Sequence, residues 1–201
     1  MHNPLQPAAD RCAVVTRSWP LLYAQSLTVR PLVRADADLL VRFGLGLSAA
    51  TRYQRFLGGG VRLNADLLER LLPAGPGPDV ALVATVALDG REVPVGVARY
   101  APLPDGETAE FAATVADAWQ GQGIGRRLLE RLVAIARERG LLALVGDTFA
   151  MNRPMLQLAH SLGFAIRPHR DGATLKRLER DLRDEFSGFV GRASPAPVSD
   201  A

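Results

Sequence analysis

The sequence predicts an α/β domain, a mixed central sheet with helices on both faces. Three observations carry that expectation. Apolar runs of strand length alternate with stretches of helical period over most of the chain. Asp89-Gly90 sits between two such runs as a hairpin signal. A glycine-spaced loop, Gln120-Gly121-Gln122-Gly123-Ile124-Gly125, separates a β-type run from the longest helical pattern.

In chain order, residues 27–33 read as a strand and 36–43 as a helix with Asp36 near its cap. A second helical segment at 51–56 carries Tyr53 and Phe56. Residues 64–72 open on Asn64, a good N-cap residue, and repeat leucine at 67, 68, 71 and 72. The proline- and glycine-rich 73–78 is a loop. Strands follow at 79–88, 93–100 and 107–116. The helix at 124–139 sets Ile124, Leu128, Leu132 and Ile135 on one stripe and stops at Gly140. A buried strand at 141–145, a helix at 152–162 and a closing hairpin at 164–168 and 173–182 complete the domain, taken as residues 26–186. Residues 1–25 form an N-terminal arm without clear period, poorly ordered or docked through Trp19 and Tyr23. Residues 187–201, rich in Ser, Pro, Ala and Gly, read as a flexible tail.

At 201 residues and 48% hydrophobic, the chain can bury a core. Its net charge of +3 comes from arginines spaced among acids, with no basic block of the kind that binds nucleic acid. One cysteine, Cys12, excludes an internal disulfide and fits a reducing compartment. No apolar run approaches the ~20 residues of a membrane span, and no signal pattern opens the sequence, so a cytoplasmic location is expected. The histidines at 2, 160 and 169 lack metal-ligand spacing, and no metal is expected.

The loop at 120–125 has the makings of a phosphate site. N–H groups that begin a helix lack intrahelical partners and lie at its positive end, and glycines let the main chain approach an anion. Arg126 and Arg127 in the first turn oppose the helix dipole, an arrangement that an anion would compensate. A P-loop is excluded, because no Lys-Ser or Lys-Thr follows and Lys176 is the only lysine. The spacing is also not the G-x-G-x-x-G of a dinucleotide fold.

The pattern Gln120-x-x-Gly123-x-Gly125 resembles the acyl-coenzyme-A loop of the GNAT superfamily of N-acetyltransferases. Residues 28–32 with Asp36-Ala37-Asp38, the run 109–115, Asn152-Arg153-Pro154-Met155 and Leu162-Gly163-Phe164 extend the resemblance. Within the superfamily, residues 47–56, Ala109-Glu110-Phe111 and 152–155 are similar to bacterial protein-lysine acetyltransferases.

The resemblance implies the GNAT fold and acetyl-CoA as cosubstrate. It implies that Gln120, Gly121, Gln122, Gly123, Ile124, Gly125 and Arg126 bind the cofactor, with the N–H groups of Gln122 to Arg126 on the pyrophosphate. It has Ala113, Thr114 and Val115 bind the pantetheine arm between splayed strands, with Asn152 near the arm. Asn152 has an equal structural reading as an N-cap, and Arg153 meets a phosphate or solvent.

Glu110 is the implied general base, in a half-buried cleft; its alternative is a pair with a nearby arginine or plain exposure. Such a base has a sizeable task. A lysine amine of pKa ~10.4 must be brought to its neutral form near pH 7, a cost of roughly 4.6 kcal/mol. One departure stands out: the family's general-acid tyrosine falls at Ala159, and neighbouring His160 points elsewhere on the helix.

The expected acceptor is a primary amine, first a protein lysine, then a small amine such as an antibiotic, polyamine or amino acid. A non-catalytic acyl-CoA sensor is the rival of a different class. A homodimer is expected only by analogy with relatives.

Overall fold

The computed structural model describes residues 16–20, 26–58, 72 and 77–183. Eight strands form one sheet in the order β1-β2-β3-β4-β5-β6-β8-β7. They are β1 (Arg17–Pro20), β2 (Ser26–Pro31), β3 (Val80–Leu88), β4 (Arg91–Pro102), β5 (Thr108–Val115), β6 (Ala143–Phe149), β7 (Ala165–His169) and β8 (Gly172–Asp181). All neighbours are antiparallel except β5 and β6. The helices are α1 (Ala37–Gly46), α2 (Ala49–Arg55), α3 (Ile124–Glu138) and α4 (Arg153–Ser161).

The apolar run of β3 is continuous because both faces of the sheet are covered. Leu82, Ala84 and Val86 face a core shared with Leu128, Leu132 and Ile135 of α3. Ala81 and Val83 face a second core with Leu39, Leu40 and Phe43 of α1. Mixed sheet and two-sided helices are those the alternating patterns predict. The turn at Asp89-Gly90 has φ of 50° and 71°, the paired positive values of a tight hairpin.

β1 has no counterpart in the sequence-based elements. It is four residues long and ends in Pro20, so its pattern is too short to read. An edge position tolerates that proline. Trp19 packs on the main core, and the Arg127 guanidinium lies 5.4 Å from its ring. The strand expected at 141–145 lies two to four residues further on, at Ala143–Phe149. Leu141 and Leu142 lead into it, with the Leu142 N–H donating to Glu107 O (2.8 Å). The helix expected at 64–72 falls outside the described residues apart from Leu72, which is buried against the α1 core. Cys12, Tyr23 and residues 187–201 also lie outside them.

Candidate active site

β5 and β6 run parallel for only three residue pairs, ending at Glu110↔Val145. Gly146 marks the point of divergence. A Cβ there would lie 2.9 Å from Phe111 O and 2.8 Å from its ring. Beyond that crossing, β5 keeps β4 on one side, through Ala113↔Ala98 and Thr114↔Val97, and has no β6 partner on the other. A wedge-shaped gap opens between the strands, and a cavity of about 620 Å³ fills it.

The strand residues Ala113, Thr114 and Val115 line one wall of this cavity. Gln120, Gly121, Gly123, Ile124, Gly125 and Arg126 line its far end, and Asn152 lies on the α4 side. The structure therefore brings ten of the predicted binding residues together. Gln122 is not among the lining residues; its side-chain amide donates to Ala118 O (3.2 Å) within the turn.

The loop conformation follows from its glycines. Gly121 (φ 74°) and Gly123 (φ 81°) are left-handed, which a side chain strongly disfavours. Gly123 is also the N-cap of α3 and supplies no side-chain cap, so the first-turn N–H groups keep their donor capacity. Gly125 is tight for packing instead: a Cβ would approach Leu158 Cδ2 at 3.2 Å. Gln120 braces the loop by donating to Val115 O (3.1 Å) and, more weakly, Thr51 Oγ1 (3.4 Å).

The two arginines expected to face an anion divide. Arg127 turns to Trp19. Arg126 lines the cavity while its guanidinium donates to Ser161 Oγ (2.7 Å) and reaches Glu130 (3.5 Å, i to i+4). Asn152 fulfils its N-cap role: Oδ1 accepts from Met155 N (3.3 Å), and its amide donates to Thr148 Oγ1 (3.2 Å). Thr114 Oγ1 is buried with no hydrogen-bond partner among the described residues.

Glu110 lies beside the cavity rather than in its lining. It is exposed, not half-buried as the sequence suggested, because β5 alternates and its odd residues Phe111, Ala113 and Val115 take the α3 face. Glu110 is on the opposite face, toward α2. Ala159 is fully buried in α4 and His160 is exposed, so neither stands in for the missing tyrosine.

Sequence reasoning did not single out α2 as a wall of the site. Thr51, Gln54 and Arg55 line the cavity, the i, i+3, i+4 spacing of one helical face. That spacing was the available signal. α2 is fixed at both ends. Ser48 caps it by accepting from Thr51 N (3.1 Å), and the Asp117 carboxylate accepts from Ser48 N, Ser48 Oγ and Thr51 Oγ1. Tyr53 stacks on Phe149 at the end of β6, 5.0 Å between centroids and 7° between planes. Asp147 is a further residue that the sequence did not single out. It lines the cavity from β6 with its carboxylate held by Arg177 (3.0 Å) and 3.4 Å from His169 Nε2.

Residues 61–164 match the model of the acetyltransferase (GNAT) family. Acetyltransferase PA5475 of Pseudomonas aeruginosa is 35% identical over 146 residues, covering 73% of this chain and 78% of that protein. The chain belongs to the GNAT acetyltransferase family. The GNAT domain of S. lividans PAT superposes with a TM-score of 0.72 at 28% identity, covering 83% of this chain and 96% of that one. A shorter match, 41% identical over 59 residues, joins this GNAT chain to the L-methionine sulfoximine/L-methionine sulfone acetyltransferase of Salmonella typhimurium. It covers 29% of this chain and 34% of that enzyme. The GNAT fold also recurs in yncA of Salmonella typhimurium, solved with acetyl-CoA (TM-score 0.57, 24% identity, 79% and 95% coverage). N-acetyltransferase activity follows from the family. Among the described residues no helix is long and apolar enough to cross a membrane. Among them, too, no three His, Cys, Asp or Glu side chains gather as a metal site would require.

Proposed function

We propose that this GNAT enzyme transfers an acetyl group directly from acetyl-CoA to a primary amine, with Glu110 as the group that takes the amine proton. The observation that carries the proposal is the junction of two features: a strand ladder that stops at Glu110↔Val145, and an uncapped helix N-terminus at Gly123 across one cavity. The residues present fit the donor. The first-turn N–H groups of α3 and the positive-φ glycines suit a pyrophosphate. The β5 edge facing the gap suits an extended amide arm, which would add to the sheet as a short strand does. The orphaned Thr114 Oγ1 is a buried polar atom for which a bound arm is a partner.

The thioester supplies the activated acyl group, and the chain supplies placement and proton handling. The amine nitrogen forms a bond to the acyl carbon as the carbon–sulfur bond breaks. Glu110 accepts the proton, directly or through water, and the sulfur leaves as thiolate. With alanine at 159 the thiolate leaves without a side-chain acid from α4; a thiol pKa near ~8.5 makes that tolerable at neutral pH. A main-chain N–H of β5 aimed at the carbonyl oxygen would stabilise the charge that develops there.

Two acceptor classes have support. The likeness of residues 47–56 to protein-lysine acetyltransferases supports a protein lysine. The Salmonella relative named for L-methionine sulfoximine supports a small amine. A single cysteine supports a reducing, cytoplasmic setting.

Thiol release from acetyl-CoA, measured against a panel of amines and lysine peptides, tests the proposal. Turnover with at least one amine is expected. Tight acetyl-CoA binding with no thiol release against any acceptor would identify a sensor instead.

A further inference from the structure

Arg55 is the unexplained charge of the site. It stands at the end of α2 with its side chain half-buried and lining the cavity. Its guanidinium lies 5.1 Å from the Phe56 ring and makes no hydrogen bond or ion pair among the described residues. The other arginine that lines the cavity, Arg126, is engaged by Ser161 and Glu130, and Arg177 beside it by Asp147. Burial pushes the Arg55 guanidinium down to about 10, Arg99 pushes it the same way, and Glu110 acts in the opposite sense. A half-desolvated cation beside a second cation costs stability unless an anion compensates it.

Glu110 stands on the face of β5 that α2 packs beside, and among the described residues the two side chains do not pair. Arg55 on the cavity wall and Glu110 on the β5 face toward α2, just outside the lining, have no side-chain ion pair among the described residues, and together they form a receptor for a zwitterion. An ammonium beside Glu110 and a carboxylate forked onto Arg55 would satisfy both, and the planar guanidinium suits a bidentate carboxylate.

We infer that the acceptor is a small amine bearing a carboxylate next to the amine, as in an α-amino acid, with Arg55 the residue that selects it. This rests on the placement of the reacting amine at Glu110 proposed above, and it names the acceptor class for that site. Arg55 touches the acceptor away from the reacting atoms, so it governs selection and orientation. The proton still leaves the nitrogen for Glu110, and the carboxylate is unchanged by the reaction.

The test compares L-amino acids with their α-amides as acceptors, for the wild-type enzyme, Arg55→Gln and Arg55→Lys. Wild type is expected to favour the acid by at least about tenfold in kcat/KM, as a charge-assisted pair warrants. Arg55→Gln should bring acid and amide to near parity, and Arg55→Lys should keep part of the preference. The KM for acetyl-CoA should change by no more than about twofold in both.

Calorimetry with N-acetyl-L-amino acids and CoA gives a readout independent of turnover. Binding is expected in wild type and about tenfold weaker in Arg55→Gln. The thermal midpoint of Arg55→Gln should not fall, since no pair with a described residue is broken; a clear drop would mark Arg55 as structural.

A preference for amides or lysine peptides over free acids would overturn the inference. So would an acid preference that survives Arg55→Gln, or a loss confined to acetyl-CoA binding. Absence of acetyl-CoA binding in wild type would instead contradict the proposed function itself.

Discussion

Asp117, in the turn after β5, anchors Ser48, the residue that caps α2. Its carboxylate accepts from the Ser48 N–H (2.9 Å) and hydroxyl (2.6 Å), and one oxygen also accepts from Thr51 Oγ1 (2.7 Å). One turn after the strand that lines the cavity thus holds the helix that walls it.

These donors hold the Asp117 carboxyl down at about 2, the Ser48 hydroxyl contributing most. A carboxylate whose folded pKa lies below its unfolded value stabilises the fold at pH above the unfolded value. That contribution fades as pH falls from about 4 toward 2. Asp117→Asn should therefore lower the thermal midpoint at pH 7 by on the order of 2–4 °C. The gap between variant and wild type should narrow as pH falls from 4 toward 2. Melting curves at pH 7, 4 and 2.5 measure it; a pH-independent gap would show that the carboxylate charge is not what holds α2.

Gly146 and Gly123 are glycines for different reasons, and their alanine variants should separate. At Gly146 an added Cβ meets Phe111 main-chain oxygen at 2.9 Å, where backbone cannot move aside cheaply. Gly146→Ala should destabilise by about 1–3 kcal/mol and push β5 from β6 at the mouth of the cavity. Urea denaturation reads the loss.

At Gly123 a Cβ meets nothing within 4 Å, but the φ of 81° is left-handed. Gly123→Ala should cost about 1–2 kcal/mol of strain. Because the loop can relax that strain only by re-aiming its N–H groups, acetyl-CoA affinity should fall by about tenfold or more by calorimetry. An unchanged affinity would remove the loop from donor binding.

Glu110→Gln should lower kcat by on the order of 10²–10⁴ with acetyl-CoA affinity preserved. The deficit should shrink from pH 6 to 9, because an amine that sheds its own proton in solution no longer needs the base. Stopped assays across that range measure it; near-normal turnover throughout would reassign the base.

Much of this was legible in the sequence, for physical reasons that can be named. The loop at 120–125 was readable because glycine spacing and a helix start are local properties. The two-sided sheet was readable from β3, whose unbroken apolar run only a strand covered on both faces would have. What escaped depended on distant partners. β1 has four residues and gains its stability from β2 and from Trp19 against the core. The engagement of Arg126 and Arg127 by Ser161 and Trp19 spans chain separations that no window sees. Arg55 belongs to a helix whose pattern was visible, but that it lines the cavity without an ion pair among the described residues is a fact of the folded site.

A crystal structure of this enzyme grown with acetyl-CoA at millimolar concentration would show directly where the donor lies. The pyrophosphate is expected against the main-chain N–H groups that begin α3 at Ile124, and the pantetheine arm in the gap between β5 and β6 beyond Glu110. Donor density anywhere else, or a closed β5–β6 ladder that leaves no gap for the arm, would contradict that placement.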